Sequence, residues 1–183
     1  RTPQLSTLSK LLADAGLAET LRGPGPYTVF APSDDAFKAV PAKTMQELAQ
    51  DKALLKSVLA YHVLPAKVLA ADIKEGAQAT TVQGQLFPLG LAGGASITDA
   101  QGRKAAIVAT DVAASNGVIH VIDKVILPQT KNIVELAASL PDFSILVEAV
   151  LAAELQGTLS STGPFTVFAP TNAAFAALLT ELK

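Results

Sequence analysis

An α+β fold is what this sequence predicts, on three observations. Helical spacing fills residues 5–60, and short β segments separated by glycine turns follow from residue 61. Half of the chain is hydrophobic and only 16% is charged, the balance of a chain that packs a core. Strands returning every 8–12 residues or so suggest an antiparallel wedge or sandwich, with the N-terminal helices packed on it.

The opening helix is read from Leu5, Leu8, Leu11, Leu12 and Ala15, with Gly16 as its C-terminal stop. Gly23-Pro24-Gly25-Pro26 turns the chain into a strand at Tyr27–Phe30, which Pro32 ends. Ser33 or Asp34 caps a short helix carrying Phe37. Thr44 with Glu47 reads as a capping box, and Asp51 caps a longer helix whose inner face is Leu54, Leu55, Val58 and Leu59. The β candidates that follow are 61–64, 67–71, 78–82, 86–89, 95–98, 104–112 and 117–126, and Pro128 closes the series. Helical spacing then resumes at Ile133, Leu136 and Ala137.

The chain also repeats itself. Tyr27-Thr28-Val29-Phe30-Ala31-Pro32 returns as Phe165-Thr166-Val167-Phe168-Ala169-Pro170, an offset of 138 residues (165 − 27). Without a gap, the same offset aligns Pro3/Pro141, Ser6/Ser144, Leu8/Leu146, Leu21/Leu159, Pro26/Pro164 and Phe37/Phe175. A period this long means tandem globular domains, because solenoid repeats run about 20–50 residues. Residues 1–128 read as one domain without its first helix, and 129–183 as the N-terminal part of a second. The helix read at 132–138 has no counterpart ahead of residue 1, so an apolar groove is expected in the first copy where such a helix packs. The second copy is expected to present Phe143, Leu146, Val150, Phe168, Phe175, Leu178 and Leu179 with no wedge over them, and not to fold alone. Docking of 129–183 onto a first-copy domain follows, with a swapped homodimer as the preferred form.

Composition removes several function classes. A net charge of −2 without a Lys/Arg cluster offers nothing to nucleic acid or to an anionic membrane surface. The longest charge-free stretch, 155–180, is broken by Pro164, Pro170, Gly157 and Gly163, so no transmembrane span is expected. With no cysteine there is no disulfide framework, thiolate site or thiol nucleophile.

Catalytic constellations are equally sparse. The two histidines are His62, read as opening a strand beside Tyr61, and His120 amid Val118, Ile119, Val121 and Ile122. Histidines in such apolar strands are held by hydrogen bonds in or near a core, and a structural role is the reading for both. No HExxH, GxSxG or Walker pattern occurs, and Asp34-Asp35 lacks the loop around it that calcium needs. No cofactor, no metal and no enzymatic activity are expected. A hydrolase built on His62 or His120 has the weakest support.

Three blocks resemble the fasciclin-like (FAS1) domain family. They are Tyr27–Phe37 (YTVFAPSDDAF), the Tyr61-His62 pair and Asn116–Pro128 (NGVIHVIDKVILP), in that order and at the family's spacing. Phe165–Phe175 (FTVFAPTNAAF) repeats the first block alone. The resemblance implies an antiparallel β-wedge with helices along it. It also implies a non-catalytic module for cell adhesion or contact with surface and matrix proteins, secreted, periplasmic or displayed on the cell surface. Tyr61 and His62 are the candidate binding residues it implies, against the structural reading above. A soluble carrier of a small apolar ligand such as a carotenoid is the alternative, using a cleft between helices and wedge.

Overall fold

The computed structural model describes residues 3–161 and 165–182 and divides into two compact units, Arg1–Pro128 and Gln129–Lys183. The repeated Gly163-Pro164 pair lies outside the described residues.

Unit 1 opens with helices α1 (Ser6–Asp14) and α2 (Leu17–Thr20), joined through Gly16. Gly16 sits at φ +69°, the left-handed conformation that ends a helix without a Cβ clash. Strand β1 (Tyr27–Pro32) leads to α3 (Asp34–Lys38), α4 (Ala42–Gln50) and α5 (Lys52–Tyr61). Ser33 caps α3 by accepting from the Ala36 N–H, and Asp51 caps α5 by accepting from Ala53 and Leu54. Asp34 reaches instead to α1, accepting from the Thr7 N–H (2.9 Å) and the Ser6 hydroxyl (2.7 Å). These donors hold its carboxyl below the usual carboxylate range.

Six further strands follow: β2 (Val63–Leu64), β3 (Gln78–Thr80), β4 (Leu86–Gly90), β5 (Ser96–Thr98), β6 (Lys104–Ala114) and β7 (Gly117–Ile122). They join β1 in one sheet of order β2-β1-β7-β6-β5-β4-β3. The α+β wedge is therefore present, and its neighbours are antiparallel except β1 and β7, which run parallel from Tyr27↔Gly117 to Pro32↔Ile122. The long connection between these two strands, carrying α3 to α5 and β2 to β6, makes that orientation accessible.

Alternation along β1 serves two cores. Val29 and Ala31 pack with Leu8, Phe37, Leu55 and Val121 against the helices, while Phe30 packs with Phe87, Ile97 and Ile122 inside the wedge. Phe87 stands edge-on to both Phe30 (5.4 Å) and Tyr61 (5.6 Å).

Several sequence expectations are corrected here. The α5 helix runs through Tyr61, so Tyr61 and His62 end a helix rather than open a strand. The inward face begun at Leu55 continues through Val58 and Leu59 to Tyr61. The α4 helix starts at Ala42, with Pro41 at the N-cap position and no side-chain cap, because the proline ring has no acceptor to offer. Thr44 and Glu47 thus lie inside that helix. No strand forms at 67–71, and β7 stops at Ile122 rather than 126.

Unit 2 holds α6 (Ile133–Ala138), α7 (Ser144–Ala152), α8 (Gln156–Leu159) and α9 (Asn172–Glu181). The local contacts of unit 1 reappear in it at the 138-residue offset. Thr171 caps α9 as Ser33 caps α3, and Asn172 accepts from the Ile145 N–H (3.0 Å) and donates to Ser144 Oγ (2.8 Å), as Asp34 engages Thr7 and Ser6. The strand does not reappear. Residues 165–170 form no ladder, and Phe168 is 92% exposed where its equivalent Phe30 is fully buried. Among the described residues of unit 2, Val134 alone is buried.

Backbones of unit 1 approach closely at Gly117, since a Cβ there would lie 2.0 Å from the Tyr27 carbonyl oxygen. Neither chain can yield without breaking the parallel β1–β7 pair. Gly117→Ala is expected to destabilise the protein by about 3 kcal/mol, the upper range for overpacking, in urea denaturation. Gly157→Ala, with nothing within 4 Å of its added methyl, should change stability far less.

Candidate functional site

Two features of unit 1 stand out as sites: a set of buried polar side chains and an open apolar groove. The buried set begins with Tyr61 and His62 at the end of α5. The His62 ring donates from Nδ1 to the Val58 carbonyl one turn back (2.7 Å) and accepts the Ile126 N–H at Nε2 (3.1 Å). Both nitrogens are used, in the neutral tautomer. Burial pushes the imidazolium pKa down to about 4, against a smaller opposing effect of the Val58 carbonyl. The Tyr61 hydroxyl donates to Leu86 O (3.3 Å) and accepts the Ala100 N–H (3.1 Å), and burial pushes its pKa up to about 12.

His120 lies in β7 with its ring beside Phe30 (centroids 5.3 Å apart). Its Nε2 donates to Val68 O (2.7 Å) and its Nδ1 accepts the Asp111 N–H (3.3 Å). Asp111 reaches it from an irregular stretch of β6, at φ +56°, the left-handed conformation of a bulge. Thr28 is fully buried; its hydroxyl donates to Ala66 O (2.6 Å) and accepts the Val68 N–H (2.8 Å). These contacts explain the missing strand at 67–71. Val68 is satisfied by Thr28 and His120, and the N–H groups of Leu69 and Ala70 by the carboxylates of Asp72 and Asp111, rather than by a neighbouring strand.

Asp99 completes the set, and sequence reasoning missed it. Its carboxylate accepts from the N–H groups of Gln101, Arg103 and Leu127 and pairs with the Arg103 guanidinium at 2.6 Å. The available signal was the turn Asp99-Ala100-Gln101-Gly102-Arg103, where an aspartate caps its own hairpin and an arginine four residues on returns to it. With His62 it holds residues 126–127, which explains why β7 stops early. Every ring nitrogen and hydroxyl in this set is committed to protein backbone, so no base faces a nucleophile. Among the described residues, no three metal-ligating side chains come together and no helix is long and apolar enough to cross a membrane.

The groove lies on the helix side of β1 and β7, between them and α1. A cavity of about 200 Å³ opens there, lined by Leu8, Leu12, Leu21, Tyr27, Val29 and Ile119 with few polar groups. Asn116 closes one end, donating to the carbonyls of Leu21 (2.7 Å) and Gly23 (3.0 Å) and accepting the Tyr27 N–H (3.0 Å).

Comparison with known proteins gives a consistent picture. Residues 3–128 and 141–183 each match the family model described as the Fasciclin domain. The chain is similar to Protein sll1483 of Synechocystis sp., with 42% identity over 67% of this chain and 67% of that protein. It is also similar to the cell surface glycolipoprotein MPB83 of Mycobacterium bovis, with 36% identity over 69% of this chain and 56% of that one. It spans only about a quarter of the length of the transforming growth factor-beta-induced proteins ig-h3 of Sus scrofa and Oryctolagus cuniculus, which it also matches. Among solved structures, a FAS1 domain pair from the insect cell adhesion molecule fasciclin I shares the fold, with a TM-score of 0.53, 22% identity, and coverage of 97% of this chain and 64% of that one.

The His62 geometry sets a pH dependence. Unfolded, the ring takes a proton near pH 6.5; folded, only near pH 4. The unfolded chain therefore binds more protons between those values, and stability is full above about pH 6.5 and falls as the pH drops. A loss of about 2 kcal/mol is expected from this ring between pH 7.5 and 5, measured by urea denaturation. In a His62→Gln variant the same interval should be nearly flat, from a lower starting stability.

Proposed function

The chain belongs to the fasciclin domain family, and from that premise we propose that it is a non-catalytic interaction module, working outside the cytoplasm by contact with cell-surface or matrix proteins. The observation that carries this reading is the commitment of the buried polar groups. Tyr61, His62, His120 and Thr28 spend their hydrogen bonds on the backbone of unit 1, and Asp99 on that backbone and on Arg103. What is left to offer a partner is surface: the apolar groove and the exposed faces of sheet and helices. The cell-surface relative from Mycobacterium bovis supports the placement outside the cytoplasm. Recurrence of the domain supports contact by repeated modules, which raises avidity without new chemistry.

In this reading Tyr61 and His62 shape the scaffold and do not touch the partner. Both are buried, at 0% and 1% exposure. The carrier alternative is less well supported, because the apolar cavity between α1 and the sheet, about 200 Å³, falls short of the roughly 300–1,000 Å³ of pockets that enclose a drug-sized ligand, and the hollow of about 450 Å³ between α1, α4 and α5 is lined in part by Lys10, Asp14 and Lys52. A carotenoid would leave most of its length in water there.

The test is retention of cells or matrix fragments on surfaces coated with the chain, compared with surfaces coated with the heat-denatured chain. Selective retention by the folded chain is expected, and equal retention would defeat the proposal. Tyr61→Phe should lower stability by about 1 kcal/mol through loss of the hydroxyl bonds, with retention preserved once folded. Retention lost at an unchanged melting temperature would instead make Tyr61 a contact residue. A visible absorbance band in freshly purified protein would revive the carrier reading.

A further inference from the structure

A second hollow of unit 1 lies across α1 from the groove. Leu8 and Leu12 line the groove, whereas Thr7, Lys10, Leu11 and Asp14, on the other side of the same helix, line the hollow. Helices α1 and α4 both pack on α5, and between the three a cavity of about 450 Å³ stays open. Its floor is the outside of the helix-side core: Leu55 is buried there, and Leu11 and Met45 pack against the same cluster. Ala49 of α4 keeps the space open, since a larger side chain at that position would fill it.

A helix ahead of α1 leaves this side of it open, as unit 2 demonstrates. There α6 precedes the equivalent helix and packs beside Leu146, Val147 and Val150. At the 138-residue offset, Thr7, Lys10, Leu11 and Asp14 become Ile145, Glu148, Ala149 and Ala152, and all four stay exposed beside α6. The rim of the hollow is charged. Lys10 of α1 and Lys52 of α5 border it together with Asp14, so cations exceed anions. Among the described residues, neither lysine makes an ion pair or a hydrogen bond. The other charges of these helices nearest in sequence are occupied: Lys43 pairs with Glu47 on α4 (3.9 Å), and Asp51 caps α5.

We propose that this hollow binds a single-chain amphiphilic carboxylate, its apolar body on Leu11, Met45 and Leu55 and its head group at Lys10 and Lys52. Covering the apolar floor supplies the driving force, and two lysines without protein partners supply the counter-charge. The volume falls within the roughly 300–1,000 Å³ of ligand pockets. A wholly apolar ligand would bring no counter-charge to the lysines, and a cationic head group would be repelled by them. Asp14 on the same rim disfavours a second negative charge, so a monoanion suits the site better than a dianion. The site is separate from the contact surfaces proposed for protein partners and does not rest on them.

The test is isothermal titration calorimetry of the full chain at neutral pH and low salt, with octanoate as the probe. Saturable binding is expected, with a dissociation constant of about 1 mM or lower that rises with added salt. 1-Octanol and octyltrimethylammonium, which keep the chain and change the head group, should each bind about fivefold more weakly or worse. Replacing both lysines (Lys10→Gln with Lys52→Gln) should raise the octanoate constant by about the same factor, and Ala49→Leu should do so by filling the hollow. Lys67→Gln, at an exposed lysine away from the hollow, should leave it unchanged. Circular dichroism checks each variant; if Ala49→Leu misfolds, the paired lysine variant and the octanol comparison decide. Absence of saturable binding, or octanol binding as tightly as octanoate, would overturn the proposal. So would octanoate binding indifferent to the lysine and Ala49 variants, which would place the ligand elsewhere, as in the groove between α1 and the sheet.

Discussion

Hydrogen bonds from buried side chains to backbone hold unit 1 where its sheet ladder does not reach. The segments 66–68 and 126–127 run extended without a strand partner, and burial would leave their amides and carbonyls unsatisfied. Thr28 and His120 meet the first segment; His62 and Asp99 meet the second. Each side chain sits on an element that is itself well anchored, in β1, in β7, at the end of α5 or in the β5–β6 hairpin. The wedge is thus a ladder in its middle and a set of polar staples at its margins. An unmade bond at such a position costs about 1–3 kcal/mol, a large share of the stability of an ordinary domain.

That division of labour bears on function. Histidine and tyrosine side by side invite a search for chemistry, yet here the same groups that could act as bases or nucleophiles are occupied as staples. Burial keeps His62 neutral and Tyr61 protonated throughout the neutral range, the states in which each can both donate and accept. A module of this kind recognises through surface shape. The exposed, nearly non-polar groove between α1, β1 and β7 is a concave apolar surface of unit 1 that such recognition could use directly.

The repeat separates local from non-local causes within one chain. The caps of α3 and α9 form in both units because their partners lie three residues away, and the ties from Asp34 and Asn172 form in both because the helix they reach, 27 or 28 residues earlier, is present in both. The hexapeptide centred on Thr-Val-Phe-Ala-Pro behaves differently. In unit 1 it is a strand between β2 and β7 with Phe30 fully buried; in unit 2 it has no partner strands, forms no ladder, and leaves Phe168 almost wholly in solvent. Nearly identical residues take different states because a strand depends on neighbours for its hydrogen bonds, whereas a helix closes its own.

The sequence by itself determined the repeat, the order of helices before strands, the Asp51 cap, the Gly16 stop and most of the strands from 78 to 122. All rest on spacing and turn chemistry within a few residues. Only the tertiary structure decided that β1 and β7 run parallel, that 67–71 is stapled rather than paired, that Tyr61 and His62 close a helix inside the core, and that Asp99 joins a hairpin to Leu127. Those outcomes depend on partners 28 to 90 residues away, as in the bond from Leu127 to Asp99 and the pairing of Tyr27 with Gly117. The pattern of apolar and polar residues along a segment says how much of it is buried, and the fold alone says against what.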